Sequence, residues 1–138
     1  MDQIVSLETA KLAMEVGFKE NVTHLYLDGE NILLMIATAY TTPPYRVSTS
    51  DIETPPEELL EDGVPAPTQT ALSKWLREKC NLFVMVQIDD VGYYYEIYTT
   101  PNIGKVELVV NCWKSRVEYE DAMEDALQEA CKIVKDRR

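Results

Sequence analysis

An α+β fold follows from three observations on this chain of 138 residues. Three stretches carry apolar residues at helical spacing, about five others alternate or run apolar as strands do, and Gly, Pro or Asp dipeptides separate them. The expected architecture is a single domain, with an antiparallel or mixed sheet of about five strands and helices at about 6–16, 68–79 and 116–135 packed mainly on one face.

The first helix is signalled by Ser6, whose hydroxyl can cap the following turn, with Glu8 complementing the dipole. Leu7, Ala10, Ala13, Met14 and Val16 recur at three and four residues and form one apolar stripe. Gly17 suits the left-handed residue after the helix, and Phe18 can fold back on the last turn. Val22 to Leu27, the turn dipeptide Asp28-Gly29 and the apolar run Ile32 to Ala37 then read as a β-hairpin. The start of a buried helix at Ile32 fits the same periodicity.

Between Thr41 and Pro67 the texture changes, because six of the seven prolines fall there: Pro43, Pro44, Pro55, Pro56, Pro65 and Pro67. Proline removes amide donors, so this is expected to be a long surface excursion with at most a helical turn at Glu57 to Glu61. It also carries Asp51, Glu53, Glu57, Glu58, Glu61 and Asp62.

Thr68 can cap the second helix, on which Ala71, Leu72, Trp75 and Leu76 share a face. Leu82 to Ile88 and Tyr93 to Thr99 read as antiparallel strands around an Asp89-Asp90-Val91-Gly92 turn. Val106 to Asn111 follows as another strand, with Val106, Leu108 and Val110 expected on one side. For the last helix, Ser115 and Glu118 have capping-box spacing. Its stripe is Tyr119, Ala122, Met123, Ala126, Leu127, Ala130, Ile133 and Val134.

Composition narrows the function classes. The net charge is −11, but the first 69 residues hold 12 acids against 3 bases, whereas the remainder holds 12 acids against 10 bases. General nucleic-acid binding needs cations that displace counterions from phosphates, so it is not expected. No secretory pattern or long apolar run is present, which excludes membrane insertion. Cys80, Cys112 and Cys131 are odd in number and widely spaced, which fits a reducing cytoplasm better than a disulfide framework.

No catalytic, cofactor or metal motif is legible. His24 stands alone, Asp89-Asp90 is a favoured turn pair, and each glycine is isolated rather than part of a phosphate loop. Tyr93, Tyr94, Tyr95 and Tyr98 fall on one strand. Alternation places Tyr93, Tyr95 and Ile97 on one face and Tyr94, Glu96 and Tyr98 on the other. The candidate partner contacts are therefore Tyr94 and Tyr98 on the sheet and Asp51, Glu53, Glu57 and Glu58 in the acidic excursion.

The segments from Val5 to Ala13 with Gly17-Phe18, Ala66 to Gln69, Lys74 to Glu78 and Tyr94 to Tyr98 resemble small phage and prophage proteins of gut Bacteroides-type bacteria. The resemblance covers most of the chain and departs at Thr41 to Val64, which is longer and richer in proline here. That group has no assigned activity, so the resemblance implies an origin and no site residue. The expectation is a non-enzymatic accessory protein that binds another protein. The alternatives are an acidic imitator of nucleic acid that inhibits a host enzyme, and a carboxylate-based enzyme without a recognisable motif.

Overall fold

A computed structural model describes residues 3–20, 22–27, 32–35, 63–102, 104–112 and 114–137. Helix α1 spans Leu7–Glu15, and the Ser6 hydroxyl accepts the Thr9 amide at 3.3 Å as its cap. It ends in a Schellman motif. Gly17 takes a φ of 107°, its amide bonds the Met14 carbonyl, and the Phe18 amide bonds the Ala13 carbonyl. These bonds satisfy orphan carbonyls of the last turn and fold Phe18 back into a buried position.

Strand β1 (His24–Leu27) pairs antiparallel with β2 (Ile32–Met35), which is the expected hairpin; its Asp28-Gly29 turn lies outside the described residues. On the other side of β1 lies β3 (Gly63–Pro65), also antiparallel, giving the order β2-β1-β3. The Pro-rich excursion therefore does not run to Pro67 as expected. Pro65 is accommodated because β3 is an edge strand, where a missing amide donor need not break a ladder. The Ala66 amide donates to the His24 carbonyl and the Pro67 carbonyl accepts the Val5 amide, each at 3.0 Å. Val5, Ala10, Ala13, Val16, Phe18, Leu25 and Val64 are buried around this sheet, and the Tyr26 hydroxyl donates to the Val5 carbonyl at 2.7 Å.

These elements belong to a compact unit formed by Ile4–Pro67, and Met1–Gln3 with Thr68–Arg138 form a second. The second unit opens with α2 (Gln69–Cys80), capped by the Thr68 hydroxyl, which accepts the Ala71 amide at 3.1 Å. Asn81 ends it in the left-handed conformation. Its side-chain amide donates to the Thr100 carbonyl at 2.8 Å and its own carbonyl accepts the Thr99 hydroxyl at 2.9 Å. The helix end is thereby tied to the far end of β5. Leu72, Trp75 and Leu76 are buried as the stripe predicts, but Ala71 is exposed and Gln69 is buried in its place.

Strands β4 (Leu82–Ile88), β5 (Tyr93–Thr99) and β6 (Glu107–Asn111) form an antiparallel sheet in that order. In place of one sheet of about five strands, the six strands among the described residues divide into two sheets of three, and every pairing among them is antiparallel. The expected alternation of β6 also fails. A register shift lies between Ile97 and Tyr98, so Leu108 pairs with Tyr98, Val110 pairs with Ile97, and Val109 is the extra residue of a bulge. Leu108 and Val110 consequently sit on opposite faces.

Helix α3 (Tyr119–Asp136) starts three residues later than the capping-box pattern places it, and Glu118 at its cap makes no side-chain cap bond. The cause is tertiary. Arg116 and Tyr93 exchange backbone hydrogen bonds of 2.6 and 2.7 Å as an antiparallel bridge, which holds Arg116 extended. Ser115 is likewise engaged, donating its hydroxyl to Asp89 Oδ2 at 2.7 Å. Ala122, Ala126, Leu127, Ala130, Cys131 and Val134 bury the inner side of α3. Tyr119 is exposed at the end of that stripe, with its ring edge-on to Tyr93 at 5.8 Å. Both α2 and α3 pack on β4, and α3 also packs on β5.

Candidate binding face

The antiparallel register assigns every side chain of this sheet to a face. Leu82, Val84, Val86, Tyr95 and Ile97 point toward α2 and α3, and Leu82, Tyr95 and Ile97 are buried there. Burial pushes the Tyr95 hydroxyl well above its ordinary value, with the hydrogen-bonded Cys112 thiol and the charges of Glu129 and Asp125 adding to the effect.

The far face carries rows set by the same register. Phe83, Tyr98 and Leu108 form one row, Met85, Glu96 and Asn111 the next, and Gln87 with Tyr94 the last. Met85 and Leu108 are 47% and 51% exposed, and Phe83, Tyr94 and Tyr98 are half-buried. The Tyr98 hydroxyl donates to Glu96 Oε2 at 2.8 Å, which ties the two side chains together on this face. That bond raises the Tyr98 pKa, with desolvation and the Glu96 charge acting in the same direction. Glu96 is the sole charged side chain in these three rows, and no lysine or arginine joins them.

At the end nearest the β4–β5 turn, Asp89, Tyr94, Asn111 and Cys112 line a depression of about 260 Å³. Asp89 Oδ1 accepts the Val91 and Gly92 amides at 2.8 Å each, so this residue builds the turn as the sequence predicts. The Ser115 hydroxyl bond is the largest of the effects that hold its carboxyl below the ordinary value, followed by the two amides. The group is therefore anionic at neutral pH.

Tyr94 and Tyr98 thus lie together on one face, as alternation places them, with Phe83, Met85 and Leu108 beside them. Those three neighbours belong to other strands, and the pairing register is what joins them to the tyrosines. Leu108 arrives there only through the bulge. Asp51, Glu53, Glu57 and Glu58 lie outside the described residues. None of the three cysteines forms a disulfide, and burial pushes the Cys131 thiol up to about 12. Among the described residues, no three His, Cys, Asp or Glu side chains are grouped to hold a metal ion, and no helix is long and apolar enough to cross a membrane.

A second concavity, which the sequence patterns do not reveal, lies on the helix side of the same sheet between α2 and the first turns of α3. No family model, curated protein or solved structure matches this chain.

Proposed function

We propose that this chain is a non-enzymatic binding protein whose partner is another protein, seated on the far face of β4-β5-β6. The observation that carries the reading is Tyr98, bonded to Glu96, with the exposed Leu108 beside it in its own row and the exposed Met85 in the next. Tyrosine supplies large contact area with little conformational freedom to lose, methionine supplies an adaptable, polarizable apolar surface, and a contact core is depleted of charge. A nucleic-acid stacking platform would pair these aromatics with basic side chains. This face has a glutamate instead, and the anionic Asp89 stands beside Tyr94 at its end. Such a pair of groups suits a lysine or arginine of the partner.

The resemblance to phage and prophage proteins supports an accessory role in the bacterial cytoplasm. The alternative of an acidic imitator of nucleic acid draws its support from the net charge of −11. The two readings separate by experiment. Affinity capture is run with the wild-type chain, with the double variant Tyr98→Ala, Leu108→Asp, and with Lys132→Ala on the exposed side of α3. A protein retained by wild type and Lys132→Ala but lost with the double variant is the expected result. Retention by all three, or no specific protein in repeated captures, would overturn the proposed face. Binding lost in moderate salt yet unaffected by the double variant would favour the acidic imitator.

A further inference from the structure

The helix side of the sheet carries a cleft of about 430 Å³, within the size range of small-molecule sites. One wall is α2, where Thr70, Ser73, Lys74 and Arg77 share a face at spacings of three and four. The other wall is the start of α3, with Tyr119, Glu120 and Met123, and Val84 of β4 lies at the floor. Gln69 closes one end. It is 5% exposed, and its side-chain nitrogen donates to the Glu120 carbonyl at 2.9 Å and to Glu124 Oε1 at 3.4 Å. Its amide oxygen has no partner among the described residues.

Two features set this cleft apart from a merely solvated helix face. First, a chain with a net charge of −11 places two cations here, and among the described residues neither Lys74 nor Arg77 is engaged in an ion pair. Arg77 also complements the C-terminal end of the α2 dipole, but Lys74, a turn earlier, adds a like charge three residues away that opposes the helix. Second, the donors and acceptors are segregated. Lys74, Arg77 and the Ser73 hydroxyl offer donors along α2, whereas Gln69 Oε1 and the Glu120 carboxylate offer acceptors, and Val84 and Met123 supply apolar surface between them.

We infer that the cleft binds a phosphate group, carried on a small organic molecule that also bears hydroxyls. A carboxylate presents two oxygens, but a phosphate monoester presents three terminal oxygens arranged for an arginine fork, a lysine and a hydroxyl together. The acceptors would then take the ligand's hydroxyls, and the apolar floor its carbon skeleton. Free phosphate shares the recognised chemistry and lacks the second half.

The test is a titration of the 15N-labelled full chain, read from backbone amides of residues 69–77 and 119–123, with ribose 5-phosphate, inorganic phosphate and ribose. Ribose 5-phosphate should give saturable shifts, inorganic phosphate should bind roughly tenfold more weakly, and ribose should not bind. The double variant Lys74→Ala, Arg77→Ala should weaken both phosphate probes by about tenfold or more. Glu120→Gln should reduce the preference for the ester without loss of inorganic phosphate binding. Equal affinity for the two phosphate probes would overturn the ester and assign free phosphate. Absence of saturable shifts up to about 10 mM, or unchanged binding by the double variant, would overturn the site. The cleft and the proposed partner face lie on opposite sides of the sheet, so either can fail alone.

Discussion

The two faces of β4-β5-β6 are made from neighbouring residues of the same strands, yet they do different work. Tyr95 is buried on the helix side, whereas Tyr94, one residue earlier, is half-buried on the far side. Residue type is therefore a poor guide to role in this strand. Phase decides it, because a strand sends successive side chains to opposite faces. Ile97 is fully buried and Tyr98, next to it, reaches out to Glu96.

Substitutions on the two faces should separate most sharply at this boundary. Ile97→Ala should destabilise folding by about 2–5 kcal/mol, because it empties a site between helix and sheet. Leu108→Ala, on the open face, should stay within about 0.5 kcal/mol. Urea denaturation of the two variants makes the comparison, and equal losses would show that the far face is packed rather than open.

Gly92 tests the seam that delays α3. A Cβ there would run into the Arg116 carbonyl oxygen, a backbone atom held by the bridge to Tyr93. Gly92→Ala should therefore cost about 1–3 kcal/mol and loosen that bridge, seen as faster amide exchange at Tyr93 and Arg116. Unchanged exchange would mean the bridge does not set the start of the helix.

The smallest expected effect is a pH dependence at the same turn. Asp89 has a lowered pKa in the folded chain, so its contribution is present above the ordinary carboxylate range and is lost as pH falls through the lowered value. The stability difference between wild type and Asp89→Asn should accordingly shrink on acidification. A gap that stays constant with pH would assign the turn to the amide geometry alone.

Local signals were legible because their partners lie within a few residues. Ser6 and Thr68 cap the helices that they precede, Gly17-Phe18 closes α1, and the strands at 82–88 and 93–99 follow from alternation around a turn that Asp89 builds. The pairing of Tyr94 with Tyr98 on one face was legible for the same reason. Their companions Phe83, Met85 and Leu108 were not, since register between strands fixes them.

Alternation, capping and turn chemistry act over one to four residues, and so composition and pattern alone could establish the α+β class, three helices and the phase of β5. Contacts between distant residues settled the rest. Gly63–Pro65 became a strand by pairing with β1, and the described strands form two sheets in place of one. Arg116 stayed extended because Tyr93 holds its backbone, and the bulge at Val109 turned Leu108 to the open face. The cleft of Lys74 and Arg77 exists only where α2 meets α3, because a pocket needs two walls and a helical sequence writes one.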